Sequence, residues 1–159
     1  MKTRLTNEQV FNIVYLLKTK YPDLEKFDKR FNFAVTRTLA CLQPIAADIL
    51  KARESGIPKY KEFEQKKQEI INKYSTNGEF KSDEEKQKCQ EEVNQLVLGE
   101  YKEALEERQK EIQIFNEILG QEVEVDVVQC KFEALPQDFN FDILRILCKE
   151  SDDVIEAML

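Results

Sequence analysis

Residues 82–119 read SDEEKQKCQEEVNQLVLGEYKEALEERQKEIQIFNEIL, and this stretch points most directly to the fold class. Its apolar residues recur at steps of three and four, which is the spacing of one helical face. Ser82 and Glu85 have the spacing of a capping box at the start of a helix. We therefore predict one continuous amphipathic helix about 55 Å long, in which Gly99 is the weakest position.

A second, shorter helix is predicted immediately before the long one. Pro58 suits the first turn of a helix, and an apolar stripe follows it as far as Tyr74. The Asn77-Gly78 pair then leaves only a short loop before residue 82. Two helices joined by a short loop pack antiparallel, so we predict a long helical hairpin.

The second helix of the chain is predicted to be the central one. Asp23 is its expected N-cap, and one apolar stripe continues from there to a C-terminal end by Gly56. Pro44 lies inside this stretch, where proline removes a backbone hydrogen bond and clashes with the preceding turn. A kink or break is therefore expected near residues 40–43.

Two segments that are far apart in the chain, residues 2–5 and 122–127, predict a small sheet. Residues 122–127 alternate between acidic and apolar side chains, the pattern of a half-buried strand. A lone strand leaves its backbone groups unpaired, and residues 2–5 are the best candidate mate. Thr6 then opens the first helix. The expected fold is mainly α, with the helical hairpin, further helices and a two-stranded antiparallel sheet joining the N-terminal strand to residues about 122–132. We expect one helical domain over residues 1–159.

The composition argues against an enzyme, since the chain contains no histidine, the commonest general base and metal ligand. Carboxylate-bridged di-metal bundles need a Glu-x-x-His pattern, so the glutamates at 100, 103, 106 and 107 are interpreted as a solvated face. The four cysteines lie far apart without a CxxC pair, which favours isolated thiols over a zinc site. We predict no catalytic residues, no metal and no cofactor.

Charge is unevenly distributed along a chain of net charge −7. Residues 1–53 hold ten Lys/Arg and five Asp/Glu, whereas residues 113–159 hold three and eleven. Lys26, Arg30 and Arg37 project from one side of the second helix. They form either phosphate or acidic-partner contacts, or ion pairs inside the fold. Internal pairing is favoured because the chain is acidic overall, so a nucleic-acid-binding accessory protein is the alternative function.

The long helix predicts an interaction surface because its shorter neighbour covers only about half of its length. Either the first two helices cover the remainder of its apolar stripe, or part of that stripe stays exposed as a partner-binding surface. The expected partner-binding residues are Val97, Tyr101, Leu105, Ile112 and Phe115. An exposed apolar stripe of that size is normally hidden in an oligomer or a partner interface. We expect a homo-oligomer, most simply a twofold dimer. No apolar run of about 18 residues is evident, so no membrane partner is expected.

Three segments carry a resemblance to a known family. KTRLT at residues 2–6, EVEVD at 122–126 and FEALP at 132–136 resemble a family of small bacteriophage proteins with a domain of unknown function. The resemblance implies a phage or prophage source and a place in the cytoplasm of the bacterial host, or in the virion. It implies a protein–protein role, with a phage structural protein in virion assembly or with a host factor such as a defence enzyme.

Overall fold

The computed structural model describes residues 1–158, and these are mainly helical. The elements in chain order are β1 (Lys2–Thr6), α1 (Asn7–Lys20), α2 (Lys29–Arg53), α3 (Pro58–Tyr74), β2 (Ser75–Thr76), β3 (Glu79–Phe80), α4 (Asp83–Leu98), α5 (Lys102–Gly120), β4 (Glu122–Asp126), α6 (Phe141–Leu147) and α7 (Ser151–Met158). Short 3-10 turns occupy Leu24–Lys26 and Phe132–Ala134. The mainly α fold with a small antiparallel sheet is confirmed.

The chain divides into two compact units. The first contains residues 1–51 together with the chain from residue 117 onward, and the second contains residues 52–116. Compactness does not show that either unit folds alone. The single domain over residues 1–159 therefore stays a prediction.

The predicted sheet forms between β1 and β4, which run antiparallel from the Lys2–Asp126 pair to the Thr6–Glu122 pair. One acidic side chain of β4 lies close to a basic side chain of β1, with Lys2 Nζ 3.6 Å from Glu124 Oε1. The strand ends at Asp126, earlier than the expected limit near residue 132. The reason is that β1 begins at residue 2, so the later backbone has no strand opposite it.

The core of the first unit is built from α1, α2, α6 and the end of β4. It contains Val10, Val14, Leu17, Phe31, Val35, Leu42, Val125, Val127, Ile143 and Leu147. The buried polar side chain Thr38 is hydrogen-bonded, because its hydroxyl accepts from Val128 N at 3.1 Å and donates to Val128 O at 3.3 Å. This pairing joins the middle of α2 to the chain that follows β4.

The structure differs from two expectations for α2. The helix runs without a break from Lys29 to Arg53, so the break expected near residues 40–43 is absent, while a kink there stays a prediction. Pro44 lies at the exposed surface between the buried side chains Leu42 and Ala46. Asp23 is not the cap either, because a 3-10 turn follows it. Asp28 caps α2 instead: its Oδ1 accepts from Arg30 N at 2.8 Å.

The composition of α2 bears on the expectation that the chain has no membrane partner. Among the described helices, Lys29–Arg53 is long and apolar enough to cross a membrane by length and composition alone, with a mean hydropathy of 1.3 over its best window. Core helices pass the same test. Phe31, Val35 and Leu42 of α2 are each fully buried in the core of the first unit.

The second unit contains the predicted helical hairpin of α3 and α4. Its tip is not a plain loop but a two-stranded ribbon of β2 and β3. Asn77 and Gly78 have φ angles of 53° and 82°. Two successive positive φ values are those of a type I′ turn, and Asn-Gly is the sequence that favours this turn most strongly.

The long helix predicted over residues 82–119 is interrupted, which corrects its expected continuity. α4 ends at Leu98, α5 begins at Lys102, and Lys102 N donates to Gly99 O at 3.3 Å between them. A Cβ atom at Gly99 would lie 3.0 Å from the Gln95 carbonyl oxygen, so only glycine fits here without movement. The interruption therefore coincides with the residue that the sequence marks as weakest.

Candidate functional site

An apolar groove in the first unit lies between α1 and α2 and has a volume of about 480 Å³. Its lining comes from two helices, and most of it is apolar or small. The lining residues are Phe11, Val14, Tyr15 and Lys18 from α1, and Gln43, Ala46, Ala47 and Leu50 from α2. An apolar concave surface lined by two helices is the kind of surface that can receive a partner helix.

Each of the two helices has a second face, beside its core face, that lines the groove. The lining residues of α1 are at positions 11, 14, 15 and 18, and those of α2 are at positions 43, 46, 47 and 50. Both sets follow the spacing of one helical face. Ala46 and Ala47 keep the α2 wall low, which leaves open space where larger side chains would fill it.

The rim of the groove exposes large apolar side chains. Tyr15 is 65% exposed and Leu50 is 48% exposed, while Phe11 is half-buried between the walls. Single exposed apolar residues are ordinary on a protein surface. These three face one concave space, so their exposed area is continuous with the apolar lining of the groove.

Unpaired positive charge accompanies the groove. Lys18 is part of the lining, and Lys51 follows Leu50 in α2. Among the described side chains, neither ammonium group has a carboxylate within 4 Å. Glu8 and Asp48 belong to the same helices but are not among the lining residues. Within residues 1–158, Lys18 is therefore the one charged residue of the lining, and it can pair with an acidic group of a partner.

The residues predicted for partner binding are not brought together as one exposed stripe. Tyr101 is wholly buried, which corrects its expected role on the surface. Val97, Leu105 and Phe115 are half-buried, and Ile112 is 43% exposed. The physical reason is the interruption at Gly99, after which Tyr101 enters the interior of the second unit. The most exposed apolar residues of α4 and α5 are instead Leu98 and Ile114.

Tyr101 is a packing centre of the second unit. Its hydroxyl donates to Glu62 Oε1 at 2.9 Å, and its ring centroid lies 5.6 Å from that of Phe63. Lys59 and Lys66 place their ammonium groups 5.7 and 5.3 Å from the centre of the same ring. Burial raises the pKa of Tyr101, and the hydrogen bond from its hydroxyl lowers the pKa of Glu62. These contacts tie α3 to the start of α5.

Two of the three basic residues singled out near the start of α2 are engaged in ion pairs. Lys26 lies 2.9 Å from Asp23, and Arg30 lies 2.9 Å from Asp28 and 2.7 Å from Glu133. These acids all belong to the first unit, so both residues form ion pairs inside the fold. The Arg30 hydrogen bonds lower the pKa of Asp28 to about 2.

Arg37 is the third of these basic residues and has a different environment. It is exposed, and no carboxylate of residues 1–158 lies within 4 Å of its guanidinium. Phe33, one helical turn before it, is 61% exposed. The structure thus leaves one cation beside one aromatic ring, which is less than the three-cation array that the sequence suggested.

The glutamates of residues 100–107, which the sequence placed in one long helix, lie at the surface. Glu100, Glu103, Glu106 and Glu107 are exposed, and Glu100 lies 3.4 Å from Lys66. Within residues 1–158, no group of three or more His, Cys, Asp or Glu side chains is placed to hold a metal ion. Their arrangement is that of a solvated helical face.

The cysteines include one closely opposed pair. Cys130 N donates to Leu147 O at 2.7 Å and Lys149 N donates to Cys130 O at 3.0 Å, which places Cys148 opposite Cys130. Both thiols are free and buried. Burial raises the pKa of Cys130 to about 11, and it also raises the pKa of Cys148. Protonated, buried thiols are poor nucleophiles and poor metal ligands.

Comparisons of the chain with protein-family models, curated proteins and solved structures found no match. The bacteriophage resemblance therefore stays an expectation. The groove is the site whose geometry and chemistry suggest a role most directly. Sequence reasoning missed it, although the second spacing of apolar residues on α1 and α2 was a signal that could have found it.

Proposed function

We propose that the protein is a non-catalytic protein–protein interaction module whose α1–α2 groove receives an amphipathic helix of a partner. The observation that carries this proposal is the apolar groove with Tyr15 and Leu50 exposed on its rim. Helix-in-groove recognition needs a concave apolar surface between two rigid elements. Both walls belong to helices whose other faces are anchored in the core of the first unit.

The groove also defines the chemistry of the partner. The distance from Phe11 to Lys18 covers seven helical steps, or about 10 Å, so it holds about two turns of a guest helix. Apolar side chains on one face of that guest would occupy the space above Ala46 and Ala47. An acidic side chain on its flank would meet Lys18, which lines the groove and has no carboxylate within 4 Å among the described residues.

The resemblance to bacteriophage proteins supplies two settings for this interaction in the bacterial cytoplasm. In virion assembly the guest helix belongs to a phage structural protein. In host takeover it belongs to a host factor. The identity of the protein bound in the groove separates the two settings.

Site-specific photo-crosslinking tests the proposal. Tyr15 is replaced by p-benzoylphenylalanine, the cells that produce the protein are irradiated, and the crosslinked peptide is sequenced by mass spectrometry. The same replacement at Phe33 is the matched control, since Phe33 is 61% exposed and Tyr15 is 65% exposed. We expect a crosslinked acidic amphipathic segment from position 15 only, and its loss when Ala47→Glu narrows the groove. Equal crosslinking from both positions would contradict the proposal.

The alternative is a nucleic-acid-binding accessory protein, and the exposed Phe33 beside Arg37 is the observation in its favour. An aromatic ring beside a cation can stack on a base and contact a phosphate. It is the weaker candidate because Lys26 and Arg30 already pair with carboxylates. One free cation releases few counterions and gives little affinity for nucleic acid.

A further inference from the structure

Two buried cysteines of the first unit lie opposite each other, although 17 residues separate them in the chain. Cys130 follows β4 and Cys148 follows α6, and the two residues form an isolated parallel bridge. Its hydrogen bonds run from Cys130 N to Leu147 O and from Lys149 N to Cys130 O. Both thiols are free, so the fold holds two unbonded sulfur atoms at one place in its interior.

The spacing of the two backbone segments suits a disulfide. Segments paired by backbone hydrogen bonds lie about 4.8 Å apart, and disulfide-bonded residues have Cα atoms about 4.4–6.8 Å apart. The two thiols also interact electrostatically: burial is the largest cause that raises the pKa of Cys130, and the neighbouring Cys148 is the second. A bond between the sulfur atoms therefore requires rotation of the two side chains and little displacement of the backbone.

Further contacts hold the two segments together beside the pair. Glu150 Oε2 accepts a hydrogen bond from Cys148 Sγ at 3.6 Å and another from Phe132 N at 3.0 Å. The Phe132 ring packs edge-on against Phe139, with 5.6 Å between the ring centroids. The chain on both sides of each cysteine is therefore already fixed in the arrangement that a disulfide would require.

We propose that Cys130 and Cys148 are a redox-active pair, which hydrogen peroxide or a related peroxide converts to an intramolecular disulfide. Cys130 is 5% exposed and Cys148 is wholly buried, so the oxidant reaches Cys130 first. Neither cysteine is among the residues that line the α1–α2 groove. The pair is therefore separate from the proposed binding site.

The reaction has two steps. The Cys130 sulfur attacks one oxygen of hydrogen peroxide, the O–O bond breaks, and water leaves, which gives a sulfenic acid. The Cys148 sulfur then attacks the Cys130 sulfur, the S–O bond breaks, and a second water leaves. In total two thiols are oxidised to one disulfide, one peroxide is reduced to two waters, and both thiol protons end in water.

Burial slows this reaction without opposing its product. A buried, protonated thiol attacks an oxidant slowly, so the reduced pair persists through brief contact with peroxide. The disulfide closes the loop of residues 131–147, and a cross-link of this kind restricts the unfolded chain. The oxidised protein is therefore the more stable form, and a reducing compartment keeps the pair as thiols.

Peptide mapping tests the pair on the wild-type chain. The reduced protein is incubated with about 1 mM hydrogen peroxide, free thiols are blocked with iodoacetamide in urea, and the protein is digested with trypsin. We expect residues 111–131 joined to residues 146–149, because cleavage after each Lys and Arg places the two cysteines in these separate peptides. Dithiothreitol should release the two peptides from each other.

A variant that keeps only this pair measures the effect on stability. Cys41→Ala with Cys89→Ala should lose about 2 Da on oxidation, the mass of two hydrogen atoms. Its urea midpoint should rise by about 1 M and return after treatment with dithiothreitol. The matched control adds Cys148→Ser to the same background and should show neither change. Circular dichroism checks that each variant is folded, and the wild-type peptide map decides if one is not.

Three results would overturn the redox pair. The first is that Cys130 and Cys148 remain thiols after prolonged oxidation with peroxide. The second is a disulfide from either residue to Cys41 or Cys89 in place of the expected one. The third is a sulfinic acid at Cys130 without a cross-link, which would show that Cys148 cannot reach the oxidised sulfur.

Discussion

The hydroxyl of Tyr101 donates a 2.9 Å hydrogen bond to Glu62 and thereby joins the start of α5 to α3. The ring is wholly buried, although it comes directly after an exposed turn. The packing of this side chain contributes more to the stability of the second unit than its hydrogen bond does. Its environment explains why it cannot be part of an exposed partner-binding stripe.

Truncating Tyr101 should therefore destabilise the protein. Tyr101→Ala removes a fully buried aromatic ring, and such truncations cost about 3–5 kcal/mol of unfolding free energy. Tyr101→Phe keeps the ring and should cost much less, because only the hydrogen bond to Glu62 is lost. Urea denaturation followed by circular dichroism measures both. If Tyr101→Ala unfolded at the same urea concentration as the wild type, the side chain would be a surface residue after all.

A second prediction concerns acid stability at the start of α2. Hydrogen bonds from Arg30 lower the pKa of Asp28 to about 2, below its ordinary value of 3.8. A carboxyl whose pKa is lower in the folded protein stabilises it above pH 4, and that contribution disappears as the pH falls from 4 toward 2. Asp28→Asn should therefore lower stability at pH 6 and lose its effect near pH 2.

The matched control for Asp28 is Asp23→Asn, which removes the exposed ion pair with Lys26. Exposed pairs contribute little, so this variant should change stability only slightly at either pH. Denaturation midpoints at pH 6 and pH 2 provide the comparison. Equal effects of the two substitutions at both values would contradict the special environment of Asp28.

Thiol reactivity forms a third prediction. Cys41 is half-buried, whereas Cys89, Cys130 and Cys148 are buried. Burial raises the pKa of Cys130 and Cys148, which lowers their thiolate fraction and their reaction rate. Ellman's reagent at pH 8 should modify one thiol quickly in the native protein and the other three only after denaturation. Cys41→Ser should abolish the fast phase, and persistence of that phase would show that a buried thiol is accessible.

Nucleic-acid binding provides a fourth prediction. With Lys26 and Arg30 paired to carboxylates, we expect no DNA or RNA binding tighter than about 100 μM at physiological salt. Fluorescence anisotropy with labelled single- and double-stranded oligonucleotides measures it. Micromolar binding with a steep salt dependence, lost in Arg37→Glu but kept in the control Arg145→Glu, would establish the alternative function.

The sheet and the helices were predictable because their patterns are local. The alternation over residues 122–126 marks a half-buried strand whatever surrounds it, and few segments other than residues 2–6 could pair with it. The groove was not predictable in the same way. Ala46 and Ala47 have the composition of close-packed core positions, and only the placement of α1 beside α2 shows that Ala47 borders open space.

The interruption at Gly99 is a feature that the spacing of apolar residues cannot predict. One glycine costs a helix about 1 kcal/mol, an amount that tertiary contacts readily outweigh in either direction. The apolar spacing continues across the interruption, so the pattern alone cannot distinguish one long helix from two. The burial of Tyr101 against Phe63 belongs to the broken arrangement and involves a residue of another helix. Sequence spacing within residues 82–119 contains no information about that contact.

The last prediction uses Gly99 to decide between the two arrangements. In a continuous helix, Gly99→Ala should stabilise the protein by up to about 1 kcal/mol, because alanine is the better helix former. In the broken helix, the new Cβ would lie 3.0 Å from the Gln95 carbonyl oxygen, so the substitution should destabilise by about 1 kcal/mol or more. Gly120→Ala is the control, since nothing lies within 4 Å of a Cβ there. The urea midpoint of each variant, compared with that of the wild type, gives the sign of the stability change. A Gly99→Ala variant more stable than the wild type would support one continuous helix.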